Sequence, residues 1–163
     1  TKVGGKTPVG VVSYINGSKR IAITLNQMTM NWGGYGTDIP GLTNYSSSPH
    51  TTDFNGKSNT SKIVNTLGSG SSYAAGYCNA YRNGVSGWYL PAQGELYASI
   101  VTNYSAVSKG ISAAGGTQLS SGYWYWSSSE YGSGSAWIVY ASDGNVGNNY
   151  KYNDNYVRCV LAF

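Results

Sequence analysis

The stretch GYWYWSSSEYGSGSAWIVYA, residues 122–141, decides how the rest of the chain is read. Tyr123-Trp124-Tyr125-Trp126 is an aromatic run of the kind that fills strands, and Ser127-Ser128-Ser129-Glu130 follows it. Ala136 to Ala141 forms a second strand centred on Trp137. Within it Ile138 and Tyr140 alternate with Trp137 and Val139, which puts the first pair on an outward face. Downstream, Asp143-Gly144-Asn145 has the composition of a turn. Tyr156 to Phe163 closes the chain as an apolar strand carrying Cys159.

Upstream, Val11, Val12, Tyr14 and Ile15 precede Asn16-Gly17, a hairpin signal, and Ile21, Ile23 and Leu25 alternate after it. Residues 31–54 are rich in Gly, Ser, Thr and Pro and read as loop. Asn59-Thr60-Ser61 offers caps for a helix bearing Ile63, Val64 and Leu67, with Gly68 as its stop. A second helix from Ser72 carries Tyr73, Ala74, Tyr77, Cys78 and Tyr81 at helical spacing, with Cys78 facing inward. Leu90-Pro91 opens a third, with Leu96, Ile100 and Val101 on one side. Strands, then helices, then strands describe an α+β domain. The first and last strands are expected to pair.

The 163 residues suffice for one domain with a core. Charged residues are 10% of the chain, so solubility rests on Ser, Thr, Asn, Gly and the 16 Tyr. Net charge is +4, but Lys19-Arg20 is the only adjacent basic pair, so no nucleic-acid stripe forms. No apolar run is long enough to insert in a membrane. Cys78 and Cys159 are too far apart for a zinc motif, leaving a disulfide or two buried thiols. The polar, tyrosine-rich composition favours the disulfide and an extracellular setting.

Gly87-Trp88-Tyr89-Leu90-Pro91 with Glu95-Leu96, Tyr125-Trp126-Ser127-Ser128-Ser129-Glu130, Ala136-Trp137 and Val157-Arg158-Cys159-Val160 together resemble the linked motifs of bacterial C-type-lectin-like domains. These occur at the C-terminus of collagen-like adhesins and in large families of gut bacteria. The resemblance implies a C-type lectin-like fold: two or three short helices, small antiparallel sheets and a long irregular segment for ligand. It also implies a Cys78–Cys159 bond and makes Trp88, Trp126 and Trp137 core anchors. It casts residues 1–163 as one domain, the C-terminal part of a longer protein at a cell surface, pilus tip or phage tail fibre.

Residues 131–156 stand out. Tyr, Asn, Gly, Ser and Asp fill 19 of the 26 positions, and only Lys151 is basic. Tyr supplies contact area and the small polar residues adaptable hydrogen bonds, as in an antibody paratope. The segment resembles the variable region of C-type-lectin-like proteins diversified by retroelements, where adenine-specific mutagenesis of Asn codons yields Tyr, Ser, Asp, Gly and Ile. Gly132, Gly134 and Gly147 fit such an origin, and the frame would be Trp126, Ala136-Trp137, Gly144 and Val157-Arg158. The expected ligand-binding residues are Tyr131, Ser133, Ser135, Ile138, Tyr140, Ser142, Asp143, Asn145, Asn148, Asn149, Tyr150, Tyr152, Asn153, Asp154 and Asn155. Tyr140, Tyr150 and Tyr152 would be the energetic anchors.

Catalytic chemistry is thin. His50 lies alone in a Ser/Thr/Pro loop and reads as a solvated side chain. The six carboxylates offer no facing pair for glycoside hydrolysis. Gly33-Gly34-Tyr35-Gly36 lacks the Lys of a phosphate loop. The motifs of calcium-dependent lectins are missing, so no cofactor is expected and calcium is disfavoured. The expectation is a non-enzymatic adhesion domain whose partner is a host-cell or bacterial surface protein or glycan. The alternative is a non-diversified adhesin binding glycans or glycosaminoglycans through Lys and Arg.

Overall fold

Strands β1 (Gly10–Asn16) and β2 (Lys19–Thr24) form the first hairpin of the structure, a computed structural model that describes residues 4–163. Asn16 pairs with Lys19, so the two-residue turn is Gly17-Ser18, one position later than the Asn16-Gly17 signal. Gly17 takes φ 58°, which glycine alone adopts freely at the first central position of such a turn. Ile21 and Ile23 of β2 are wholly buried, and β2 is the central strand of its sheet.

Four helices follow a short strand, β3 (Met28–Asn31). Helix α1 (Gly56–Leu67) begins ahead of Asn59-Thr60-Ser61, and Gly68 ends it at φ 90°. Of the three polar side chains expected to cap it, Asn59 and Thr60 turn inward instead, and Ser61 is exposed and donates to the Lys57 carbonyl. Asn59 Nδ2 donates to Asp53 Oδ2 at 3.0 Å, and Thr60 Oγ1 exchanges hydrogen bonds with the Leu90 backbone. Helix α2 (Ala74–Ala80) directs Cys78 inward. Helix α3 (Gln93–Tyr97) runs through a π-helical turn (Ala98–Thr102) into α4 (Tyr104–Ala113), a longer helical stretch than the sequence announced. Glu95 Oε2 accepts the Ala92 N–H at 3.0 Å at the start of α3.

The aromatic stretch becomes β4 (Trp124–Gly132) and β5 (Ser135–Tyr140), followed by β6 (Val146–Tyr150) and β7 (Asp154–Val157). With β3 they form a five-stranded sheet in the order β3-β7-β4-β5-β6, with β4 and β7 parallel. The single closing strand expected over residues 156–163 is two strands in two sheets. After β7 the chain crosses to β8 (Val160–Ala162), which pairs with β2 and not with the first strand. The crossing is held by Arg158, wholly buried, whose guanidinium donates to the carbonyls of Thr24, Thr117 and Gln118 and to Gln27 Oε1. Cys159 is bonded to Cys78 on α2, with Cα atoms 5.3 Å apart.

Two cores flank the five-stranded sheet. Trp126, Ala136 and Ile138 pack against α1, α2 and the disulfide. Tyr125 and Val139 pack against Leu96, Ile100 and Val107. Strand β5 is therefore buried on both faces, which corrects the expected outward face. Ile138 is 4% exposed and cannot meet a ligand. Trp88, Trp126 and Trp137 are core residues as expected. The architecture is an α+β lectin-like fold.

Candidate functional site

The 131–156 segment spreads over three parts of the sheet. Strand β5 is six residues long. At about 3.3 Å per residue its two ends lie roughly 17 Å apart. At the Ser135 end, Ser135 pairs with Tyr150 and the Lys151 N–H donates to the Gly134 carbonyl at 3.0 Å, which gathers Ser133, Ser135, Tyr150 and Tyr152. Tyr131, 43% exposed, rests edge-on against Trp137 nearby. Asn148 and Asn149 lie along edge strand β6, where Asn149 Oδ1 accepts Asn153 Nδ2 at 2.7 Å. At the other end Ser142, Asp143 and Asn145 are exposed in the β5–β6 turn, with Asp143 accepting both the backbone and side-chain N–H of Asn145.

Tyr150 and Tyr152 are stacked, with ring centroids 5.4 Å apart and planes 11° from parallel. Tyr35, from the long loop after β3, meets both edge-on, at 6.3 and 4.8 Å. All three are more than half exposed. Tyr35 escaped the sequence reading, which saw in Gly33-Gly34-Tyr35-Gly36 only a failed phosphate loop. The signal was there as a lone aromatic among glycines. Gly34 and Gly36 take φ 63° and 86°, and the Gly36 N–H donates to the Ser133 carbonyl at 2.9 Å. That bond docks the loop onto the β4–β5 turn.

Lys151, between the two exposed tyrosines, points inward. Its ammonium donates to Glu130 Oε1 and to the Thr37 carbonyl and lies 4.5 Å from the Trp32 ring centroid. Burial pushes the Glu130 carboxyl above the usual carboxylate range, with Lys151 pulling it back, and burial pushes Lys151 below the usual lysine range.

A second aromatic surface lies at the Trp124 end of β4. Tyr140, Asp154 and Asn155, all expected, join Thr29, Gly122, Tyr123, Trp124 and Tyr156, which were not, around an open groove of about 490 Å³. Trp124 and Tyr140 meet edge to face at 4.9 Å, and Tyr123 and Tyr156 lie 5.1 Å apart. Tyr140 is half-buried there, unlike Tyr150 and Tyr152.

The titratable groups elsewhere serve the scaffold. Asp53 and Glu130 line one small polar cavity of about 100 Å³, a pairing of carboxylates that the sequence did not disclose. Both are buried and already engaged, Asp53 by Asn59 Nδ2 and by Ser129 Oγ at 2.7 Å. The cavity is below the size that encloses a sugar ring. Glu95 accepts from Lys19 at 2.8 Å and from Tyr89 at 3.2 Å. His50 is half-buried, not solvated as expected, with its ring 4.8 Å from Tyr97. Ser48 Oγ donates to Gln93 Oε1 at 2.9 Å and lies 3.0 Å from His50 Nδ1. No group of three or more His, Cys, Asp or Glu suited to a metal occurs among the described residues. Nor is any described helix long and apolar enough to cross a membrane.

The family model described as the Lcl C-terminal domain matches residues 25–161. No curated protein matches the chain. Among solved structures, a fimbrial protein from Bacteroides ovatus ATCC 8483 superposes with a TM-score of 0.64 at 18% identity, over 88% of this chain. The chain spans 36% of the length of that fimbrial protein.

Proposed function

We infer that this chain, which belongs to the Lcl C-terminal domain family, is a non-enzymatic binding domain that attaches a larger surface-displayed protein to a partner. The observation that carries this reading is the exposed trio Tyr35, Tyr150 and Tyr152, braced from beneath by the buried Lys151–Glu130 pair. Exposed aromatics on a rigid support lose little entropy on binding, which is the physics of a paratope. The likeness to a fimbrial protein supports a surface setting such as a pilus tip, and a phage fibre would present the domain equally well. The partner is a surface protein or glycan of a host cell or bacterium. Lys151 is the one basic residue in residues 131–156 and it is buried, and the groove has no basic lining residue. Sulfated glycosaminoglycans are therefore not the ligands these surfaces favour.

We further propose that residues 131–156 are retroelement-diversified around a fixed frame. Gly144 at φ 83° suits the frame, because a Cβ there would lie 2.8 Å from the Tyr97 hydroxyl. Ile138 belongs with the frame too, being buried.

Beads coated with the domain test the first claim. They should adhere to epithelial or bacterial cells, and the variant Y35A/Y150A/Y152A should not, with its melting temperature close to wild type. Equal adherence by that variant would overturn the assignment. Sequencing around the gene tests the second. A reverse transcriptase gene beside a near-copy of this segment, differing at adenines, is expected; a locus with neither removes the diversification claim.

A further inference from the structure

Three polar groups without a partner among the described residues converge on one groove. Of the five tryptophans, four donate their indole N–H to a backbone carbonyl: Trp32 to Ser127, Trp88 to Val85, Trp126 to Met30 and Trp137 to Tyr45. Trp124 donates to no acceptor among the described residues and is half-buried. Of the six carboxylates, Glu95 and Glu130 are paired with lysines, and Asp38, Asp53 and Asp143 accept from neighbouring donors. Asp154 is exposed and accepts from none of the described residues. Finally, Asn155 Nδ2 is the one buried side-chain nitrogen or oxygen without a hydrogen bond among them. Natural domains keep few buried polar groups without a partner, so Asn155 Nδ2 calls for an explanation, while Trp124 Nε1–H and Asp154 are open to solvent and available to a ligand. Trp124, Asp154 and Asn155 all line the same groove of about 490 Å³.

We propose that this groove binds a cationic side chain, lysine or arginine, presented by a protein partner. The aromatic pairs Trp124–Tyr140 and Tyr123–Tyr156 supply ring faces whose quadrupoles attract a cation. Asp154 supplies the only formal charge among the lining residues, and it is negative although the chain as a whole carries +4. A carboxylate beside aromatic rings, with no competing cation among the lining residues, matches a guanidinium or ammonium in charge. Trp124 Nε1–H and Asn155 Nδ2 only donate, as does the cation, so their acceptors would be backbone carbonyls of the same partner. A neutral sugar could also stack on these rings, but it would leave the carboxylate without a counter-charge.

This deepens the binding-domain reading by giving one of its two surfaces a ligand chemistry. It can fail alone, because adherence through Tyr35, Tyr150 and Tyr152 does not require the groove. The test follows the five indole N–H resonances by nuclear magnetic resonance, with Trp124→Phe identifying the one of interest. N-acetyl-arginine methylamide is titrated against its neutral isostere, N-acetyl-citrulline methylamide, and against methyl hexopyranosides. Arginine should shift the Trp124 resonance saturably at millimolar concentration. It should bind about fivefold more tightly than citrulline, the worth of one solvent-exposed cation–aromatic contact. Asp154→Asn should weaken arginine binding more than citrulline binding, and so narrow that difference, while leaving the other four indole resonances in place. Equal affinity for arginine and citrulline, tighter binding of a hexopyranoside, or no saturable shift of Trp124 would each overturn the proposal.

Discussion

Lys151 and Glu130 face each other with neither side chain reaching solvent, while Tyr150 and Tyr152 on either side of Lys151 are 53% and 56% exposed. A single residue thus pins the crossover from β6 to β7, and its two neighbours are free to meet a partner. Removing one member of a buried ion pair strands the other charge, which costs about 3–5 kcal/mol. Lys151→Met should lose stability of that order in urea denaturation, and adding Glu130→Gln should recover part of it. A loss below about 1 kcal/mol would mean that the pair is not the pin.

The three expected anchors should separate by stability. Tyr150 and Tyr152 support chiefly each other and Tyr35, so Ala at either should cost about 1 kcal/mol or less. Tyr140 packs on Trp124 and is half-buried, so Tyr140→Ala should cost about 2 kcal/mol. Thermal melts of the three single variants distinguish them; equal losses would contradict the packing described for Tyr140.

How much of this could be read beforehand depended on whether the signal was local. The α+β order, the inward Cys78 and the helix stop at Gly68 follow from spacing and residue type along the chain, and the buried Trp88, Trp126 and Trp137 from what the resemblance of their motifs implies. Tyr35 was invisible as a partner of Tyr150 and Tyr152, because a long loop brings it back onto the sheet. Ile138 was misplaced because alternation marks a face as outward only when one side of the sheet is solvated, and here cores lie on both. Trp124 was passed over because an aromatic inside an aromatic strand gives no hint of which ring lacks a partner.

The disulfide closes a loop with a sequence separation of 81. In the chain-entropy account it restricts the unfolded chain by about 4 kcal/mol. The double variant C78S/C159S should unfold at correspondingly lower denaturant, and reduction of the wild-type protein should have a similar effect. Coincident unfolding curves for wild type and variant would show that α1 and α2 hold this core without the bond.

Diversification, if it operates, must spare the interior. Ile138 pairs with Trp126 across β4 and β5 and belongs to the core around the disulfide. Ile138→Ala should cost about 2–5 kcal/mol, and a polar residue more, because it would be buried without partners. Sequences of the gene from sister isolates should therefore vary at Ser133, Ser135, Tyr150 and Asn148 while position 138 stays apolar. Asn or Asp at position 138 in a folded, secreted homologue would contradict the burial.

Acid should not loosen the fold through its buried glutamates. Burial raises the Glu95 carboxyl above the usual carboxylate range, although Lys19, the Ala92 N–H and Tyr89 all pull it down. Glu130 moves in the same direction, also through burial. A carboxyl with a raised folded-state pKa binds its proton more tightly when folded. Its contribution is fully present below the unfolded-state value and is lost as pH rises through the folded-state value. That is the reverse of the usual acid-labile carboxylate. Melting temperatures measured from about pH 7 down to about pH 5 should hold level or climb, and the climb should shrink in Glu95→Gln. The comparison is of slopes, because the variant also loses the 2.8 Å contact with Lys19. A steep fall on acidification in wild type that disappears in Glu95→Gln would show that Lys19 outweighs burial at this carboxyl.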